Sequence, residues 1–333
     1  KVMNFQIKEY KNLLETNFID RILIDIACIE SGIFKSNFID CKKKFFQFLD
    51  LTKGIPLTIP FIPEIIESSD FYNLTVEEYS NIVFGENSQN YIGTKLSYKT
   101  NIFVKNYKIK VNYRKKIKVY VNEILETKSK ISELNNKFKY LGAFQTRNIP
   151  HLGHEKIIEV MLNNCDAVVI NPIIGPKKPG DVDSQKLGFI YNKILKPRFN
   201  NRIFFIPIRA NMFYAGPREA IHHCIMREWL GFTNFSVGRD HAGSDNFYNP
   251  QSAKQTLIKN QDNFNIKILN HNGAYFCNKC GEILLKGSCS HSNDNLEEIS
   301  GSDFRNALKH KKIYKFASTD IFNWASKNFE TLF

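Results

Sequence analysis

The sequence predicts an α/β chain: a Rossmann-like parallel sheet at its centre, a mainly β region before it and a small metal-binding region after it. Three observations carry this expectation. From 138 to 238, short continuous apolar runs alternate with stretches of helical spacing. From Phe103 to Val121, apolar residues fall instead on every second position. From 277 to 291, three cysteines and a histidine crowd together.

Before about 136 the chain is rich in Lys, Asn, Ile and Phe, with some helix expected near its start. Phe103, Tyr107, Ile109, Val111, Tyr113, Ile117, Val119 and Val121 alternate with mostly Lys, Arg or Asn, the period of strands with one buried face. "RKK" at 114–116 then reads as a hairpin tip. "IPLTIPFIPEI" (55–65) suits edge strands or turns, because proline cannot donate to a ladder. The polar stretch "ETKSKISELNNK" (126–137) reads as a linker, so a first domain is expected over 1–136.

The pattern then changes. "FKYLGAF" (138–144) is a short apolar run, and "HEKIIEVMLNN" (154–164) has helical spacing at Ile157, Ile158 and Met161. "DAVVINP" (166–172) is a buried strand, 184–197 a helix and "RIFFIPI" (202–208) another buried strand. "PREAIHHCIMREWLG" (217–231) opens on proline and closes on glycine, as helices do. "FSVG" (235–238) is a fourth strand. Continuously apolar strands between helices argue for a parallel sheet covered on both faces. Right-handed crossovers make it Rossmann-like, with ligands beyond the C-terminal strand ends. A catalytic domain is expected over 137–265. A C-terminal region over 266–333 holds the cysteine cluster, a helix start at "SGSDFRNALKH" (300–310) and a last helix near 319–331.

A chain of 333 residues suggests two or three domains, and 43% hydrophobic residues suffice for globular cores. The formal charge of +13 favours anionic partners, with nucleotides, sulfate or phosphate ahead of nucleic acid. Much of that charge lies in 104–121, where a solvated basic sheet face accounts for it. No apolar run approaches a membrane span and the charged first residues lack a signal core, so a soluble, cytoplasmic protein is expected. Cys28, Cys41, Cys165 and Cys224 are scattered, which fits a reduced protein with one metal site better than a disulfide framework.

The stretch "FQTRNIPHLGHEKII" (144–158) carries the chemistry. Gln145 and Arg147 alternate along extended backbone and can face one side; arginine offers a planar fork suited to a tetrahedral oxyanion. His151 and His154 straddle a helix N-terminus, where free N–H groups favour phosphate. Their imidazoles can donate to a leaving pyrophosphate as its charge develops. Metal binding and plain helix capping are the alternatives for this pair. "VGRDHAG" (237–243) follows the fourth strand; Gly238 and Gly243 permit close approach of a base or ribose, and Arg239 and His241 can reach phosphates, or the loop is a charged turn with an internal Arg–Asp pair. Lys177, Lys178 and Asp181 lie in a Gly/Pro-rich loop: the lysines read as countercharges for sulfate or triphosphate or as solvated residues, and Asp181 as stabilising the loop or touching Mg²⁺ through water. His222 and His223 fall mid-helix, as packing residues. In "CNKCGEILLKGSCSH", Cys277, Cys280, Cys289 and His291 match a closed tetrahedral structural Zn²⁺ site, with His291 the least regular ligand; a redox Cys-x-x-Cys is the alternative.

"QTRNIPHLGHE" resembles the signature of the sulfate adenylyltransferases, or ATP sulfurylases, and its His-x-x-His element that of the wider nucleotidylyltransferase superfamily. "INPIIGPKKPGD" (170–181), "YAGPREAIHHCIMREWLGFTNFSVGRDHAG" (214–243) and "ISGSDFRNAL" (299–308) are similar to further family segments. The resemblance spans about 140–310 and fades over 1–135, where the family usually carries a PUA-like β domain. It implies a nucleotidylyltransferase domain that converts ATP and sulfate to adenylyl sulfate and pyrophosphate, or the reverse, by in-line attack of sulfate on the α-phosphorus. Gln145 and Arg147 would then hold sulfate, Asn148 the nucleotide phosphates, and His151 and His154 the phosphates and departing pyrophosphate. Gly238, Arg239, Asp240, His241, Ala242 and Gly243 would line the ATP site, with Lys178 nearby. The Ala215 backbone would touch sulfate, and Arg218 a phosphate unless it pairs with Glu219. Phe213 stands where many members have arginine. Mg²⁺ would arrive with ATP, Zn²⁺ would be structural, and a homodimer is expected by resemblance. The competing readings are adenylylation of an organic phosphate, a non-catalytic zinc protein binding nucleic acid through its basic face, and a decayed homologue that binds ATP without turnover.

Overall fold

The computed structural model describes residues 20–33 (except 22, 26 and 29), 75–96, 114–176, 181–244 and 246–333. The expected PUA-like domain, the proline-rich 55–65 stretch and the strand positions 103–113 fall largely or wholly outside these residues, as do Lys177 and Lys178.

Helix α1 (Val76–Val83) and helix α2 (Arg114–Asn135) precede the sheet. The second corrects the reading of 114–121 as strand and hairpin tip. The helix buries Ile117, Tyr120, Ile124, Thr127, Ile131 and Leu134 at helical spacing, and leaves Val119 about half exposed. A window this short fits both periods, and the long stretch without Pro or Gly that follows selects the helix. Residues 126–135 are its second half rather than a linker. Glu123 binds Arg209 (2.7 Å) and the Thr127 hydroxyl donates to the Pro207 carbonyl (2.9 Å), which fastens α2 to the body of the protein.

The central sheet follows. Its five strands are β1 (Leu141–Phe144), β2 (Ala167–Ile170), β4 (Ile203–Phe205), β6 (Asn234–Ser236) and β7 (Lys267–Leu269), all parallel, in the order β4-β2-β1-β6-β7. Strands β3 (Ile173–Ile174) and β5 (Ile208–Arg209) form a parallel pair just beyond β2 and β4. The fifth strand, β7, lies past residue 265, so the C-terminal region shares the sheet. Between strands run α3 (Leu152–Leu162), α4 (Ser184–Phe189), a π-helical stretch Ile190–Leu195, α5 (Lys196–Arg198), α6 (Pro217–Leu230) and α7 (Ser252–Lys259). Pro217 opens α6, and Gly231 closes it in the left-handed conformation at φ 103°.

Successive sheet residues point to opposite cores, as pleating requires. Leu141, Ala143, Ala167 and Val169 pack with α2, α6 and α7 residues such as Ile124, Ile221 and Leu257. Phe144, Val168 and Ile170 pack with Ile158, Leu187 and the C-terminal helices α8 (Gly301–Lys309) and α9 (Thr319–Lys327) through Phe304 and Ile321. An antiparallel sheet of β8 (Ala274–Cys277), β9 (Glu282–Leu285) and β10 (Leu296–Glu298), ordered β10-β8-β9, rests against α3. Among the described residues, no helix is long and apolar enough to cross a membrane.

Candidate active site

The strand order puts the change of winding direction between β1 and β6. In an open parallel sheet the loops leaving such a pair diverge and open a crevice at their C-terminal ends. The loop after β1 carries Gln145 to His151, and the loop after β6 carries Gly238 to Gly243. Arg147 spans the two: its Nη2 donates to the Gly243 carbonyl at 2.9 Å and its guanidinium carbon lies 5.5 Å from the Tyr214 ring centroid. Its Nη1 is buried with no hydrogen-bond partner, as is Gln145 Oε1, while Gln145 Nε2 is 3.8 Å from the Met212 sulfur. Two neighbouring polar side chains with unfilled hydrogen-bonding capacity are what a polar ligand site requires, since such groups are otherwise satisfied.

His151 is the N-cap of α3. Its Nδ1 accepts from the His154 N–H (3.3 Å), and His154 Nδ1 faces the His151 N–H (3.4 Å), a reciprocal capping box. The rings stack with centroids 3.8 Å apart. A Cβ at Gly153 would come within 3.0 Å of His151 Nδ1, so glycine lets the ring fold back over the turn. Capping and anion binding are therefore compatible: capping consumes both Nδ1 lone pairs, so in the neutral rings the proton sits on Nε2, leaving two Nε2–H donors. Burial, the largest cause, holds the His154 pKa down at about 4 and His151 well below its ordinary value, with His154 adding to the latter. Both donors are neutral near pH 7. Asn148 lies against the start of α8, where a Cβ on Gly301 would be 2.9 Å from its Cγ.

The loop after β6 is less open than expected. Asp240 (φ 52°) and Ala242 (φ 56°) are left-handed, and a Cβ at Gly243 would meet Asp240 Oδ1 at 2.3 Å. Arg239 turns away to Tyr275 (3.1 Å) and to an ion pair with Glu298, both in the small sheet. His241 is buried, with Nε2 2.9 Å from His223 Nδ1. The third wall is the turn Phe213–Gly216. Tyr214 and Gly216 have φ 59° and 54°, and the Phe213 and Ala215 N–H groups donate to the two Glu219 oxygens (2.8 and 3.0 Å). The Ala215 N–H is thus engaged within the chain. Arg218 makes no ion pair with Glu219; its Nε is buried without a partner, and burial lowers its pKa. Phe213 is fully buried, with the Arg21 guanidinium carbon 5.5 Å from its ring centroid. Asp181 lines a separate cavity of about 430 Å³ with Gly175, Ser184 and Arg209.

Two side-chain pairings escaped the sequence reading, which took His223 only as a packing residue and Glu219 only as a partner for Arg218. Glu219, His223 and Arg227 are wholly buried in α6; the Glu-x-x-x-His spacing, i to i+4, was the available signal. Ser236 and His271 pair at 2.7 Å at the ends of β6 and β7, and nothing in their spacing announces it.

The Cys277, Cys280, Cys289 and His291 donor atoms lie within 4.8 Å of one another. Cys277 Sγ is 3.9 Å from Cys289 Sγ and 3.4 Å from His291 Nδ1, and Cys280 Sγ is 3.3 Å from the same nitrogen. Bond lengths of about 2.3 Å to sulfur and 2.0–2.1 Å to nitrogen imply tetrahedral edges of roughly 3.6–3.8 Å. The set therefore fits one tetrahedral metal ion.

The profile of the ATP-sulfurylase family matches residues 120–315. The sulfate adenylyltransferase of Hyperthermus butylicus is 41% identical over 172 residues, 51% of this chain and 44% of that protein. That of Pyrococcus abyssi is 34% identical over 242 residues, covering 72% and 63%, and that of Thermococcus onnurineus is 28% identical over 314 residues, covering 86% and 82%. The matched part spans about half the length of several curated relatives, that of Hyperthermus butylicus among them. With a family profile that covers more than half of its residues, this chain belongs to the ATP-sulfurylase family.

Proposed function

We propose that the chain joins ATP and sulfate to give adenylyl sulfate and pyrophosphate. The observation that carries this reading is Arg147: a cation anchored between the two loops of the crevice, with one buried N–H₂ group left for an anion. Sulfate is a weak nucleophile that must approach an already anionic triphosphate. Positioning and fixed positive donors offset that repulsion. Arg147 Nη1 and the Gln145 Nε2–H₂ group, turned from its weak contact with the Met212 sulfur, hold sulfate. Asn148 and the Nε2–H groups of His151 and His154 hold the phosphates and strengthen their hydrogen bonds as pyrophosphate leaves. No protein nucleophile is required for in-line attack on the α-phosphorus. Gly238, Asp240, Ala242 and Gly243 line the nucleotide, with Arg218 and Lys178 as further cations; Arg239 acts through the small sheet. Mg²⁺ arrives with ATP, whose phosphates supply most of its ligands. A Zn²⁺ on the Cys₃His set closes the turn between β8 and β9 and stabilises the C-terminal region (266–333) that follows the catalytic region (137–265).

The test is pyrophosphate release from MgATP by the purified chain. Release that depends on sulfate is the expected result, and release that ignores sulfate overturns the reading. A second reading, ATP binding without sulfate turnover, is favoured by the engaged Ala215 N–H and by Phe213. It predicts that ATP binds and no pyrophosphate appears.

A further inference from the structure

Helix α6 connects two walls of the crevice by side chains that touch neither loop's expected ligand. Glu219 is fully buried, and its carboxylate accepts the Phe213 and Ala215 N–H groups. One turn later, His223 brings Nε2 within 3.2 Å of Glu219 Oε1. The opposite nitrogen of that ring, Nδ1, is 2.9 Å from His241 Nε2 in the loop after β6. The contacts run from the Phe213–Gly216 turn to the loop of residues 237–243, and the step from Glu219 to His223 is a close contact that falls short of hydrogen-bond alignment.

We propose that Glu219 and His223 are positioning residues that hold His241 as its Nε2-protonated tautomer, so that the loop offers the nucleotide a hydrogen-bond acceptor at His241 Nδ1. The direction follows from counting protons. Glu219 already accepts two N–H groups, so it is read as an acceptor; a bare His223 Nε2 lone pair 3.2 Å from its oxygen would be repelled, which favours the proton on that nitrogen. A neutral His223 protonated there has a bare Nδ1, which must accept from His241 Nε2–H. His241 Nδ1 then carries a lone pair. A lone pair repels a phosphate oxygen and suits a donor, so the ligand group it selects is a ribose hydroxyl or a base amine. Burial is the largest effect on Glu219 and holds its pKa above the ordinary value, with the two backbone N–H donors, His222 and His241 opposing but not cancelling it. The His223 and His241 imidazoles are held well below their ordinary values by burial, which keeps them neutral and single-protonated.

Nitrogen-15 NMR of the imidazoles in the complete chain reads the tautomer directly, with His241 assigned by the signal lost in His241→Asn. The expected spectrum has a protonated Nε2 and a bare Nδ1 on His241. Two variants separate orientation from packing. His223→Asn keeps an acceptor where Nδ1 stood, whereas His223→Gln keeps only the contact towards Glu219. The Gln variant is expected to mix the His241 tautomers and to raise KM for ATP about tenfold, the effect of roughly one hydrogen bond to a partly desolvated group, with KM for sulfate unchanged. The Asn variant is expected to stay near wild type in both. A wild-type His241 protonated on Nδ1 overturns the proposal, as do Asn and Gln variants that behave alike. Should the Gln variant not fold, the wild-type spectrum still decides. The effect on KM for ATP rests on the adenylyl-transfer reading, but the tautomer does not: a chain with no turnover and the expected spectrum sinks that reading and leaves this one standing.

Discussion

Arg147→Lys is the most informative single change, because it keeps the charge and removes the geometry. The guanidinium makes three separate uses of its shape. Nη2 donates 2.9 Å to the Gly243 carbonyl, the plane lies by the Tyr214 ring, and Nη1 remains free in a buried position. A lysine ammonium is one point: it can hold the Gly243 carbonyl or face an anion, not both with the same alignment. One charge-assisted hydrogen bond is worth about 1.5–3 kcal/mol, which at about 1.4 kcal/mol per decade is roughly a 10- to 100-fold loss. The loss should appear in kcat/KM for sulfate, measured by pyrophosphate release at saturating MgATP. Melting temperature should fall by only a few degrees, the effect of about 1 kcal/mol in a domain of this size. A lysine variant that retains more than half of wild-type kcat/KM would refute the argument that the fork of donors matters.

Acid should destabilise the protein early. His151, His154, His222, His223, His241 and His271 all have folded pKa values below the ordinary histidine value, with burial the first cause in each. The unfolded chain therefore binds protons first as pH falls below about 6.5, and stability falls with pH by up to about 1.4 kcal/mol per unit per histidine until the folded values, about 4 for His154, are reached. Denaturant titrations from pH 7 to 4 check this, and a flat profile contradicts it. Stripping the metal with a chelator should release one Zn²⁺ per chain and lower the melting temperature by at least about 5 °C, a loss of more than roughly 2 kcal/mol; an unchanged melting curve after complete removal would contradict a structural role. Gly243→Ala forces a Cβ to within 2.3 Å of Asp240 Oδ1, so the loop must shift and nucleotide affinity, read by calorimetric titration, should drop about tenfold while the fold persists; undiminished affinity would remove this loop from the site.

The central sheet was legible because buried parallel strands are short, apolar and bracketed by helical spacing, and "LGAF", "AVVI" and "IFF" are all of that kind. Strand β7 was harder: "KIL" is too short to stand out, and the cysteine motif beside it draws the eye to a separate region. Helix α2 was misread at its start because Ile117, Val119 and Val121 satisfy a period of two over a window too short to exclude 3.6. At the candidate site, the strand–turn–helix placement of residues 144–158 was readable from residue types and spacing, and helix capping by His151 was among the readings open to the paired histidines. The commitments of Arg239 to Glu298 and of His241 to His223 were not readable, because each depends on tertiary contacts between segments far apart in sequence. Glu219 is a different case: it lies in the first turn of α6, and its partners are the Phe213 and Ala215 N–H groups just before it, a local contact set by the left-handed turn at Tyr214 and Gly216.

A structure of the chain with adenylyl sulfate bound tests the central claim most directly. The account predicts the sulfate group on Arg147 Nη1 and the Gln145 amide, with the α-phosphate within hydrogen-bond reach of the Nε2 atoms of His151 and His154. Adenylyl sulfate bound elsewhere, or bound here with Arg147 Nη1 still unpartnered, would contradict it.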